Sequence, residues 1–213
     1  MEDTLPIAEQ MILIGATGRN AGKTVLATEL IRLFKDDFTV IALKTTTVTQ
    51  VGEPCPRGGK GCGACSISTP YVLEEEGISS GRDIPAECAG NCVASSAEKD
   101  TSRLLQAGAK RVFWLRSVKP SLAEGFSEFL KQIPPAALII GESNSLREVV
   151  KPGCFIMVKA GEGEQVKPSA ARVADLAQIT VDSPITAERL KGVMAALNVS
   201  RDAGGRIQVR AEG

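Results

Sequence analysis

The chain has 213 residues, with 25 basic and 25 acidic side chains, six cysteines and no histidine. Zero net charge and 4% aromatic content argue against a nucleic-acid-coating or base-stacking surface. No stretch reaches the roughly 18 apolar residues of a membrane helix, and the lack of histidine removes every His ligand, His base and Ser-His or Cys-His arrangement.

A hydrophobic fraction of 43% over this length suits one α/β domain spanning 1–213. The acidic start, Met1-Glu-Asp-Thr4, precedes no long apolar run. A signal peptide is not expected, and a cytoplasmic location is. Disulfides are disfavoured there, so clustered cysteines point to metal or redox chemistry.

In chain order, Met11–Ile14 is a short apolar run and predicts a buried strand. Val25–Phe34 has the helical spacing Leu26, Leu30, Leu33, Phe34. Phe38–Leu43 predicts a second buried strand that ends at Lys44. From Gly52 the chain is too rich in Gly and Pro for a helix or central strand. Residues of about 50–93 read as one Cys-rich insertion, with a short helix near Tyr71–Glu76. Then follow a helix at Ser96–Ala107, a strand at Arg111–Leu115, a helix at Ser121–Gln132 and a strand at Ala137–Ile140 ending at Glu142. Further on come a strand at Cys154–Val158, a helix at Pro168–Leu176, a strand at Ile179–Val181, a helix at Pro184–Leu197 and a last strand at Arg206–Val209. Alternating strands and helices, with strands that are continuous apolar runs, predict a mostly parallel sheet covered on both faces, a three-layer Rossmann-like arrangement.

The loop Gly15-Ala-Thr-Gly18-Arg19-Asn20-Ala21-Gly22-Lys23-Thr24 joins the first strand to the first helix. Strand, Gly-rich loop, Gly-Lys-Thr and helix in this order form a P-loop, which cradles the phosphates of GTP or ATP. Backbone N–H groups point at the phosphates, Lys23 reaches the β- and γ-phosphates, and the Thr24 hydroxyl binds Mg²⁺. The loop is a variant, because Thr17 stands at the position of the first glycine. Glu142, at the carboxyl end of a buried strand, is the expected Mg²⁺- or water-orienting carboxylate. Asp100 and Asp182 are weaker candidates. Lys44 is expected to touch phosphate or an anionic substrate.

Several segments together resemble the molybdopterin-guanine dinucleotide biosynthesis protein B family. They are the strand–loop–helix start, Val40-Ile-Ala-Leu-Lys44, Lys99-Asp-Thr-Ser-Arg103 running into Gln106-Ala-Gly-Ala109, and Ile139-Ile-Gly-Glu142-Ser-Asn-Ser. That family shares its wider group with dethiobiotin synthetase. The resemblance implies a GTP- or ATP-binding protein that assists cofactor assembly with a partner protein, often as a homodimer. It also implies nucleotide contacts at Gly18, Asn20, Gly22, Lys23 and Thr24. Two departures stand out: Thr45 replaces the family's histidine, and the Cys-rich insertion is additional.

Cys55, Cys62 and Cys65 are spaced C-x6-C-x2-C, and Cys88 and Cys92 follow as C-x3-C. Four of these five thiolates suffice for a [4Fe–4S] cluster or, alternatively, a Zn²⁺ site. Cys154, alone in an apolar strand, is expected to be a core residue. Three readings follow. One is an NTPase in metallocofactor assembly with a metal in the insertion. Another is a small-molecule kinase or ligase of the dethiobiotin-synthetase type. The last is a non-catalytic nucleotide-gated switch.

Overall fold

The computed structural model describes residues 5–52, 66–76, 100–161 and 163–212. Cys55, Cys62, Cys65, Cys88 and Cys92 lie outside the described residues, as does the expected helix start at Ser96.

The chain opens with β1 (Ile7–Ala16), α1 (Lys23–Phe34) and β2 (Thr39–Val48). After β3 (Tyr71–Glu75) and α2 (Asp100–Gln106) come β4 (Arg111–Val118), α3 (Leu122–Lys131), β5 (Ala137–Glu142) and β6 (Lys151–Lys159). The chain closes with α4 (Pro168–Ala171), β7 (Ile179–Asp182), α5 (Ala187–Ala195), β8 (Leu197–Arg201) and β9 (Ile207–Ala211). Seven strands form one sheet in the order β3-β4-β2-β5-β1-β6-β7. Every pairing in it is parallel except β3 with β4. β8 and β9 form a separate antiparallel hairpin.

The continuous apolar runs explain the burial. Met11–Ile14 of β1 are fully buried, as parallel strands covered on both faces must be. Alternate residues feed two cores. One core joins Ile12, Ile14 and Ile140 to Leu26, Leu30 and Ile31 of α1, Leu104 of α2, Val193 of α5 and Ile207 and Val209 of β9. The other joins Leu13, Leu43, Leu115 and Phe155 to Phe126 and Phe129 of α3. The expected three-layer α/β architecture is therefore present. No helix among the described residues is long and apolar enough to cross a membrane.

Four elements differ from the sequence expectation. Tyr71–Glu75 is a strand, not a helix. Tyr71 and Leu73 pack on the α3-side core, while Glu74 pairs with Arg116 and Glu75 with Arg111 on the neighbouring strand. The packing of Tyr71 and Leu73 together with these cross-strand ion pairs outweighs the helix propensity of three consecutive glutamates. β2 continues four residues beyond Lys44, because Thr45–Val48 stay in register with Leu115–Val118 of β4. The helix expected at 168–176 is one turn of α4 followed by a 3₁₀ turn at Ala174–Leu176. Bonds from Val173 N to Ala170 O and from Leu176 N to Val173 O tighten it, and a three-residue spacing brings Ala170 and Val173 inward. β8 was expected as the end of a helix and loop. Asp202 Oδ1 accepts from Gly204 N and Arg206 N and folds the hairpin turn that creates it.

Cys154 is fully buried among Ile12, Ile156 and Val209, and burial pushes its thiol up to about 12. It is the inert core residue its setting predicts.

Candidate functional site

The three central strands bring the predicted residues to one level. Glu142 of β5 stands beside Ile14 of β1 on one side and Lys44 of β2 on the other. Two residues past Ile14 the chain leaves the sheet and turns back into α1. This is the carboxyl edge of the sheet, where open α/β sheets bind ligands.

The loop between β1 and α1 is held at its first half. Thr17 N donates to Val158 O at 3.0 Å, and Thr17 Oγ1 accepts from Ala160 N at 2.8 Å. Thr17 thus has a role that a glycine could not fill, which accounts for the variant first position. Lys167 N donates to Thr17 O at 2.9 Å, and Lys167 Nζ donates to Gly18 O at 2.8 Å. The second half bends sharply, with Asn20 at φ 55° and Gly22 at φ 97°. Gly22 is the N-cap of α1, in the left-handed region that suits glycine. Arg19 and Asn20 are exposed, and Ala21 is buried. Among the described residues, no acceptor takes a backbone N–H from Gly18 through Thr24. Those N–H groups remain for a ligand, as does the helix N-terminus behind them.

Asn144 fastens the start of the loop. β5 ends at Glu142, so Ala16 has no strand residue beside it on that side. The Asn144 amide takes that place: Ala16 N donates to Oδ1 at 2.8 Å, and Nδ2 donates to Ala16 O at 2.9 Å. Gly15 permits this approach, because a Cβ there would lie 2.7 Å from Asn144 Oδ1 and 2.8 Å from the Phe155 ring. Replacing Asn144 by Ala leaves two buried backbone groups without partners. A stability loss of about 2–4 kcal/mol is expected in urea denaturation. A loss below about 0.5 kcal/mol would show that water substitutes for the amide.

The chemistry gathers at Glu142. Thr24 Oγ1 donates to Glu142 Oε2 at 3.1 Å. Lys44 Nζ donates to the same oxygen at 2.9 Å and to Asp100 Oδ2 at 2.6 Å. The Glu142 side chain is 0% exposed. Its other oxygen, Oε1, is buried with no partner among the described residues. Orphaned buried acceptors of this kind cost about 1–3 kcal/mol, and a ligand can offset that cost. Thr24 Oγ1 and Glu142 supply hard oxygen donors, so the residues present suit Mg²⁺. Burial lowers the basicity of Lys44, but Glu142 and Asp100 together raise it above the ordinary value, so its ammonium is kept.

Lys23 is in the opposite state. Burial, then the nearby charge of Lys167, lower it from 10.5 to about 8, and Glu142 only partly opposes this. Lys23 forms no ion pair with a described residue. A desolvated ammonium beside free N–H donors is arranged for an anion.

Gly15, Gly18, Arg19, Asn20, Ala21, Gly22, Lys23, Thr24, Lys44 and Glu142 are thus brought to one edge of the sheet. Of the weaker candidates, Asp100 joins them. Asp182 ends the edge strand β7, on the far side of β1 from Glu142. Three contributors carry no sequence signal. Thr17 breaks the motif, Asn144 lies 128 residues from Ala16, and Lys167 lies 149 residues from Gly18. Among the described residues no group of three or more His, Cys, Asp or Glu is placed to hold a metal. No family model, no curated protein and no solved structure matches this chain.

Proposed function

We propose that this chain binds GTP or ATP with Mg²⁺ at the Gly15–Thr24 loop and hydrolyses it slowly, in the service of metallocofactor assembly. One observation supports this most. The Thr24 hydroxyl meets a fully buried Glu142 with a partnerless oxygen, beside a loop whose N–H groups point to no described acceptor. In this reading the N–H groups of Gly18–Lys23 cradle the phosphates, and Lys23 contacts the β- and γ-oxygens. Thr24 and Glu142 hold the divalent ion and its water. A Mg²⁺ ion held by Thr24 and Glu142 would supply positive charge to neutralise the phosphate oxygens. Before nucleotide binds, Lys44 holds Glu142 in position. None of the described residues around Glu142 is a free general base, in keeping with slow hydrolysis rather than fast group transfer.

Asp100, where the segment bearing Cys88 and Cys92 rejoins the described fold, is bonded to Lys44. We take Cys55, Cys62, Cys65, Cys88 and Cys92 as the ligand pool for a [4Fe–4S] cluster or Zn²⁺, with a cofactor-biosynthesis protein as partner and a homodimer as the working form.

Titration calorimetry with GTP and with ATP, each with and without Mg²⁺, tests the nucleotide half. Binding of one nucleotide is expected, tighter with Mg²⁺, and the Mg²⁺ increment is expected to vanish in Thr24→Ala. Absence of binding at millimolar nucleotide overturns the reading. Anaerobic purification followed by iron and zinc analysis tests the metal half, and metal-free protein overturns it.

A further inference from the structure

Lys44 sits where a metal ion would. Its Nζ lies 2.6 Å from Asp100 Oδ2 and 2.9 Å from Glu142 Oε2, so two carboxylates converge on one ammonium. The Thr24 hydroxyl is bonded to the same Glu142 oxygen, and Glu142 Oε1 is a buried acceptor with no described partner. The lysine is itself largely sheltered, with 15% of its side chain exposed. The two acids therefore share one fixed cation at contact distance.

We propose that Lys44 is a tethered cation that occupies a latent divalent-metal site formed by Asp100, Glu142 and Thr24, and so prevents that site from binding a metal ion in the absence of nucleotide. A free divalent ion must compete with an ammonium that cannot diffuse away and that repels it at contact distance. Only a ligand that brings its own negative charge shifts that balance, as triphosphate oxygens do. Metal uptake is then conditional on nucleotide. The oxygens now sit at ammonium distances. For Mg²⁺ or Mn²⁺ they need to close to about 2.1 Å, a small side-chain movement once the lysine is removed. The meaning of this device in the working protein rests on the nucleotide reading above, whereas its test does not.

The test is a nucleotide-free Mn²⁺ titration of the full chain, followed by the electron paramagnetic resonance signal of free Mn²⁺ and by thermal melting. Wild type and Lys44→Arg, which keeps the charge, are expected to leave Mn²⁺ free. Lys44→Met is expected to bind one Mn²⁺ about tenfold more tightly or better. Lys44→Met/Asp100→Asn is expected to lose that gain. Removing the lysine also takes away a cation that two acids share, which can weaken folding. Mn²⁺ is then expected to raise the melting temperature of Lys44→Met by several degrees and that of wild type by none. Equal Mn²⁺ affinity in wild type and Lys44→Met overturns the proposal. So does a Lys44→Met protein that neither binds Mn²⁺ nor is stabilised by it, and so does undiminished binding in the double variant. A chain that shows the expected Mn²⁺ pattern but binds no nucleotide refutes the functional reading and leaves the latent site standing. Nucleotide binding without the Mn²⁺ pattern does the reverse.

Discussion

Replacing Lys23 by methionine is expected to weaken nucleotide binding by roughly 30- to 150-fold while making the nucleotide-free protein more stable. The loss follows from removing one charge-assisted bond to phosphate, about 2–3 kcal/mol. The gain follows from the site itself. Burial and Lys167 bring Lys23 from 10.5 down to about 8, so the folded, nucleotide-free state disfavours its charge. At neutral pH that difference corresponds to on the order of 3 kcal/mol, which methionine does not incur. The unfolded chain keeps the proton up to its ordinary value. Wild-type stability should therefore rise relative to Lys23→Met as pH climbs from about 8 to 10.5, and the gap between them should close across that window. Paired denaturation curves at neutral and alkaline pH measure this. A variant less stable than wild type at neutral pH would mean that Lys23 is paired in the nucleotide-free protein. Nucleotide phosphate favours the charged lysine, so wild-type affinity should fall as pH rises above about 8.

Glu142→Gln is expected to reduce nucleotide hydrolysis by roughly 10²- to 10³-fold, the scale of one aligned polar group lost from a reacting centre. The amide keeps the volume of the buried side chain and an acceptor for Thr24, and Lys44 retains Asp100. Folding should survive. What disappears is the negative charge that holds the divalent ion and orients its water. Binding without Mg²⁺ should therefore change little, while the Mg²⁺ increment and the turnover are lost together. Single-turnover hydrolysis with dialysis on the same sample separates these effects. Turnover within threefold of wild type would remove Glu142 from the chemistry.

Much of this site was legible because its parts are contiguous. The strand, loop and helix around Lys23 lie within one short stretch, where apolar runs and glycines speak directly. Glu142 was legible because a charge closing a fully apolar run has few places to go except the sheet edge. Lys44 was read at the right level. Its strand does not end there, and its ammonium is bonded to Asp100 and Glu142, a pairing that no local pattern announces. The ties at Thr17, Asn144 and Lys167 were not legible, because each depends on packing between segments more than a hundred residues apart. β3 was misread for a related reason. Tyr-Val-Leu-Glu-Glu-Glu is ambiguous alone, and Arg111 and Arg116 on a later strand decide its conformation.

That strand has a consequence for how the molecule keeps to itself. An open sheet offers unpaired peptide groups at each flank, and a foreign strand can extend it there. Here one flank is β3, which runs against its neighbour and carries Glu74 and Glu75 locked to arginines. The opposite flank is β7, only four residues long. A charged flank and a short one both give an incoming strand little to lie against. Neither flank of the sheet invites indiscriminate lateral growth into aggregates, even though its interior strands are as apolar as those of a fibril core.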